Sequence, residues 1–244
     1  MKIQARIFDF LMVLVCVSLV AGCQQSQVQR LPAYLGSVPA INTSEPQIPE
    51  SLPSALNTVG VLLVTDASFP NAAPTLSPEM VTILENRVVQ KMDEFFGIPS
   101  VPVRPEEPLT PMADIGPFIQ LAKAHGHDFM LVAVVSSMEG ESHIELGAEG
   151  MMTRMPGVSI DNHALAELAL LHADSGKVAL HATGTGSSNM EQLVAPIGEN
   201  YPRKEDARDI LRGNAAQEAL DHALFALQRH WGRSLVKGEP KAAG

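Results

Sequence analysis

Thiols are scarce in this 244-residue chain: it holds two cysteines, Cys16 and Cys23, and residues 24–244 have none. That segment can form no disulfide, no cysteine metal site and no thiol nucleophile. Aromatic residues are few, at 5%, which speaks against a stacking platform for bases or sugars. Positive charge is short too, with 17 basic residues against 27 acidic ones. A net charge of −10 favours solubility and argues against general nucleic-acid binding. The apolar run Phe10–Ala21 has twelve residues. As a helix it covers roughly 18 Å, less than the ~30 Å hydrocarbon core, so it is too short to span a membrane.

What is present around that run is more informative. Lys2 and Arg6 precede it and small residues close it, the layout of a secretory signal. Asp9 is unusual inside such a signal. A buried amphipathic helix is the alternative. The closing residues Val20-Ala21-Gly22-Cys23 resemble the bacterial lipobox. That resemblance implies cleavage between Gly22 and Cys23, with Cys23 becoming the first residue and carrying the lipid. In such lipoproteins an aspartate after the cysteine holds the protein at the inner membrane. Gln24 stands there instead, which implies the outer membrane. Removal of residues 1–22 leaves 15 basic and 26 acidic residues, a net of −11.

Residues 24–56 hold five prolines and several glutamines without sustained periodicity, and read as a tether of 33 residues. As a coil it reaches roughly 30 Å, and fully extended about 110 Å. Leu31, Tyr34, Leu35 and Ile41 also allow the opposite reading, an ordered arm packed on the domain.

The span 57–236 reads as one domain, followed by a tail at 237–244. "TVGVLLVTD" (58–66) has the composition of a buried strand. "LSPEMVTILENRVVQKMDEFFG" (76–97) predicts a helix, with Ser77 as cap, Pro78 in the first turn and Gly97 past the end. Leu76 and Val81 have the spacing of a hydrophobic staple. "VPVRP" (101–105) suggests a short edge strand, and "DIGPFIQLAKAHG" a helix ending at Gly126. "DFMLVAVVSS" (128–137) predicts a central strand covered on both faces, and "ESHIELGAEGMM" (141–152) a separate one. "HALAELALLHADSGKVALHATGTG" favours a hairpin turning at Asp174–Lys177, although its first run also suits a helix. "NAAQEALDHALFALQRHWGRSL" (214–235) predicts a helix with a capping box from Asn214 to Gln217. The order is that of a layered α/β domain: strand, helix, strand, helix, strand, then an antiparallel meander and a C-terminal helix.

Chemistry-bearing motifs are sparse. "HGHD" (125–128) groups two imidazoles and a carboxylate, but at a helix-to-strand turn where capping residues are expected. His172 and His181 are the weak metal candidates. If Asp174 pairs with Lys177, both share one sheet face at about 7–8 Å. No EXXH or HEXXH pattern joins them, so no metal site is assigned and no cofactor is implied. "GTGSSNM" (184–190) lacks the lysine of a phosphate loop and reads as a strand running into a loop. Ser136 follows a strand without the G-x-S-x-G elbow. Met151, Met152 and Met155 suit core filling, or an adaptable contact surface.

With "VGVLLVTD", "LAKAHGHDFMLVAVVSS" and "LALLHADSGKVALHATGTG" in this order, the chain resembles the rhombotarget lipoproteins. More distantly it is similar to the curli-secretion lipoprotein and the penicillin-binding-protein activators. The likeness spans roughly residues 57–230 and implies an α/β domain in the cell envelope. It supplies no catalytic residues, since the rhombotarget name reflects company with a rhomboid-type protease system. The leading expectation is a non-enzymatic lipoprotein that binds an envelope protein, with its domain in the periplasm. The alternatives are a hydrolase using Ser136 or a histidine, and a carrier of small apolar or lipid ligands. A deep apolar pocket would favour the alternatives, and a filled core with exposed apolar residues the first.

Overall fold

The computed structural model describes residues 29–36, 58–146, 155–193 and 204–237. The signal sequence, the Gly22–Cys23 junction, the rest of the tether, Met151, Met152 and residues 238–244 lie outside the described residues.

Five strands form one mixed sheet in the order β2-β1-β3-β4-β5. β1 (Val59–Asp66) pairs in parallel with β2 (Ser100–Pro102) and with β3 (Phe129–Leu146). β4 (Met155–His172) and β5 (Val178–Leu193) extend the sheet antiparallel. Between β1 and β2 runs α2 (Pro78–Phe96), and between β2 and β3 runs α3 (Gly116–Ala124). The strand order reverses after β2, so right-handed crossovers place α2 and α3 on opposite faces. α4 (Lys204–Lys237) lies on the α2 face, and α1 (Leu31–Leu35) on the α3 face.

The local chemistry explains these elements. Ser77 caps α2 by accepting the Met80 N–H at 3.2 Å, and Gly97 ends it at φ 62° with its N–H on Asp93 O. Alternation splits the strand residues between two cores. Val59, Val61 and Leu63 of β1 face Leu84, Val88 and Met92 of α2, while Leu62 and Val64 face Phe118 and Ala122 of α3. α2 and α4 run parallel and are joined by Arg87, whose Nε and Nη2 donate to Asp221 at 2.8 and 2.5 Å.

The structure differs from the sequence reading at five places. Residues 29–36 belong to the fold: Leu31, Tyr34 and Leu35 are buried against the sheet. The expected strand at 141–152 is instead the continuation of β3, which stays paired with β4 as far as Leu146–Met155. Gly140 is an ordinary strand residue opposite Asp161. α4 begins ten residues before Asn214, so the expected capping box there does not form. Its first turn has Glu205 and Asp206, which complement the helix dipole. Arg208 and Arg212 then tie it to Glu139 of β3 at 2.8 and 3.0 Å.

The fourth difference is "GTG". β5 does not end there, and Gly184 and Gly186 lie where α4 crosses it. A Cβ on Gly184 would stand 2.3 Å from Ala219 O, and one on Gly186 2.2 Å from Ala215 O. With Ala215, Ala216, Ala219 and Ala223 opposite, these glycines allow unusually close helix-to-sheet packing. The fifth concerns the hairpin register. A bulge between Leu170 and Leu171 leaves Ala179 without a partner, so His181 pairs with Ala169 and not as the simple turn implied. His172 pairs with Phe129, on the α2 face, while His181 falls on the α3 face with Ala169. The one-residue shift separates the two histidines.

Candidate functional site

Beneath α1, at the C-terminal end of β1 and beside the middle of β3, carboxylates converge on one sheet face. Asp66 stands beside Ser136 in the parallel ladder, and Glu167 lies opposite Val134 in the antiparallel one. Glu167 is fully buried. Its Oε2 accepts the backbone N–H of Leu31 at 2.9 Å and that of Arg30, while Oε1 has no partner among the described residues. Asp66 accepts from Arg30 Nε at 2.5 Å and from the Ser68 N–H at 2.8 Å. Arg30 also donates to Ser68 Oγ at 2.7 Å, and its guanidinium lies 5.5 Å from the Phe69 ring centre.

The titration of these groups follows from their surroundings. Burial raises the Glu167 carboxyl above the ordinary range, and the two N–H donors offset only part of that. Burial also acts to raise Asp66, but hydrogen bonds from Arg30 and Ser68 outweigh it and the group titrates low. The Tyr34 phenol is pushed up to about 12, first by burial and then by the neighbouring Asp66 carboxylate.

The cluster holds the arm in place. Burying Leu31, Tyr34 and Leu35 contributes about 6 kcal/mol. Fixing six residues, Arg30 to Leu35, costs about 6–12 kcal/mol. Burial does not exceed that cost, so the polar contacts to Glu167 and Asp66 decide whether α1 is seated. The far end of α1 is held as well, by the Ala113 N–H donating to Ala33 O at 2.7 Å. Ala113 is left-handed at φ 53°, and Gly36 at φ 78° packs against its carbonyl.

A second polar group occupies the other face. Arg208 donates to Glu139 and Glu141, and Arg212 to Glu139. Asn162, between Glu139 and Ser188 in the ladder, is fully buried with neither side-chain atom partnered among the described residues.

The expected site residues are dispersed. Ser136 is buried between Asp66 and Leu165, and neither ladder neighbour is a histidine that could act as its base. His125 and His127 stack at 6.4 Å at the end of α3, with Gly126 at φ 70° completing the turn. His172 Nδ1 accepts the Ser175 N–H at 3.2 Å within the hairpin turn. His181 is held low by burial and then by His230, and its Nε2 has no partner among the described residues. Among the described residues no three His, Cys, Asp or Glu side chains are grouped to hold a metal ion. A cavity lined by Thr65, Asp66, Ala73, Leu76, Ser137 and Ala216 has about 10 Å³ of room, the space of a single water.

Sequence reasoning missed Glu167, Asp66 and Arg30. The signal was there, in "HALAELALLH", where one glutamate interrupts an apolar strand. A carboxylate in such a run must find partners, since burying an unpaired charge is costly.

No family model matches the chain, and no curated protein matches it in sequence. Among solved structures it is similar to a neuraminyllactose-binding hemagglutinin homologue from Helicobacter pylori, with 12% identity over 78% of this chain and 93% of that one, at a TM-score of 0.41. A PelC dodecamer from Paraburkholderia phytofirmans matches with 13% identity over 70% and 86% of the two chains, at a TM-score of 0.32. A minor lipoprotein from Acinetobacter baumannii matches with 7% identity over 70% and 92%, at a TM-score of 0.30. Several solved structures similar to this chain are thus named bacterial lipoproteins, and the likeness to each is remote.

Proposed function

We propose that the chain is a lipid-anchored protein of the bacterial envelope, of the rhombotarget type, whose periplasmic domain acts by contact with a protein partner and not by catalysis. The observation that carries the reading is Val20-Ala21-Gly22-Cys23, closing a positively started apolar run of signal length. Among the described residues no helix is long and apolar enough to cross a membrane. Attachment through lipid on Cys23 suits such a domain, and Gln24 favours the outer membrane.

The site geometry supports contact over chemistry. The carboxylates that converge beneath α1 are engaged in holding that segment. Ser136 has no histidine beside it in the ladder, and His172 and His181 are on opposite faces. Among the described residues, the cavity beside Asp66 has about 10 Å³ of room, less than an apolar cargo needs.

Replacing Cys23 with serine tests the anchor: the variant is expected to lose lipid labelling and to leave the membrane fraction. Persistent labelling and attachment would sink the proposal. Ser136→Ala and His181→Ala, at matched abundance, are expected to preserve the envelope phenotype lost on deletion of the gene. Failure of either variant would favour the hydrolase reading.

A further inference from the structure

The arm that holds α1 is, on the anchor reading, also the arm that holds the lipid, and the present inference rests on that reading. From Cys23 to Arg30 is seven residues, at most about 25 Å of chain. From Cys23 to Val59, where β1 begins, is thirty-six residues, about 120 Å when extended. Which length separates the lipid from the sheet depends on whether α1 is seated.

We propose that the seat of α1 is a latch that sets the reach and facing of the anchored domain. Seated, α1 holds the domain within about 25 Å of the bilayer, with the α3 face turned toward it and the α2–α4 layer turned away. Released, the same chain becomes the long tether that the sequence suggests.

The seat has the form such a latch needs. It is built at both ends. At one end Glu167 takes the Arg30 and Leu31 N–H groups, and Asp66 takes the Arg30 guanidinium. At the other, left-handed Ala113 donates to Ala33 O and its carbonyl leaves room for no side chain at Gly36, where a Cβ would stand 2.7 Å away. It is also small. Three side chains enter the sheet face, and their burial does not exceed the cost of ordering the segment, so loss of a few contacts releases it. The β-sheet and the α2–α4 layer keep their own core without α1, because Leu31, Tyr34 and Leu35 belong to the cluster on the other face.

Neutron reflectometry of the full lipidated chain on a supported bilayer tests this, with acylation checked by mass. The native protein is expected to leave a thin aqueous gap, near the root-mean-square reach of seven residues, about 15 Å. The Leu31→Ser, Tyr34→Ser variant should about double it, toward the roughly 33 Å expected of the longer coil. A second variant adds Ala33→Cys and Ala113→Cys. Its disulfide should restore the narrow gap, and reduction should widen it again, which guards against a trivial folding defect. Attached, acylated protein whose gap ignores these changes overturns the latch alone. Protein that carries no acyl group and does not attach overturns the anchor reading, and the latch with it.

Discussion

Glu167 and Asp66 lie on the same sheet face and are driven in opposite directions by what surrounds them. Burial raises Glu167, whereas Arg30 and Ser68 more than offset burial at Asp66 and keep it low. Their contributions to stability therefore have opposite pH dependence. The folded state binds the Glu167 proton more tightly than the unfolded chain does. Stability should rise as pH falls through the raised Glu167 value, and level off near the ordinary glutamate value of about 4.3. Asp66 stabilises the fold above its unfolded value of about 3.9, and that contribution disappears as pH falls through its depressed folded value. Urea unfolding across a pH series checks both. Glu167→Gln should flatten the slope above about pH 4.3. Asp66→Asn should cost about 2 kcal/mol at neutral pH by leaving Arg30 without its carboxylate, and should weaken the acid loss. A Glu167→Gln profile identical to the native one would mean that Glu167 titrates normally.

At the scale of elements, the close approach of α4 to β5 makes a sharper demand. Gly186 has no space for even one methyl, with Ala215 O 2.2 Å from the position of its Cβ. Gly186→Ala should therefore cost about 2 kcal/mol or more, because helix or strand must shift to admit the group. Chemical denaturation measures it, and a loss below about 0.5 kcal/mol would mean that α4 does not pack where it is placed. The same contact explains what was legible in the sequence. β1, α2, α3 and the hairpin announced themselves through local signals: β-branched runs, the Ser77 cap, Gly97 and Gly126, and the Asp174–Lys177 turn. Gly184 and Gly186 carry no local signal that separates a loop from a helix crossing, since the reason for them is a helix some thirty residues later. The Ala179 bulge is equally invisible, yet it alone sends His172 and His181 to opposite faces. Glu167 could have been found, as a carboxylate inside an apolar strand. Its partners on Arg30 and Leu31 are more than 130 residues away and could not.

α4 also protects the outer edge of β5. Nδ1 of His222 donates to Thr185 O at 2.7 Å and Nδ1 of His230 to His181 O at 3.1 Å. The Glu218 carboxylate accepts the Ser187 N–H at 2.7 Å. The spacing of these side chains follows the helix repeat and meets alternate residues of the strand, so backbone groups open to another chain are satisfied from within.

At the scale of the whole molecule, two layers of helix enclose one mixed sheet, and the arm proposed to hold the lipid enters from the α1–α3 side. The acidic balance of residues 23–244, net −11, suits a soluble domain held beside a membrane. Reach and facing both depend on chemistry at one sulfur. The most direct measurement is the mass of the N-terminal peptide from protein purified out of membranes. The expected chain begins at Cys23 and carries acyl groups on that residue. A chain that retains residues 1–22, or begins at Cys23 with an unmodified thiol, would contradict the anchor reading.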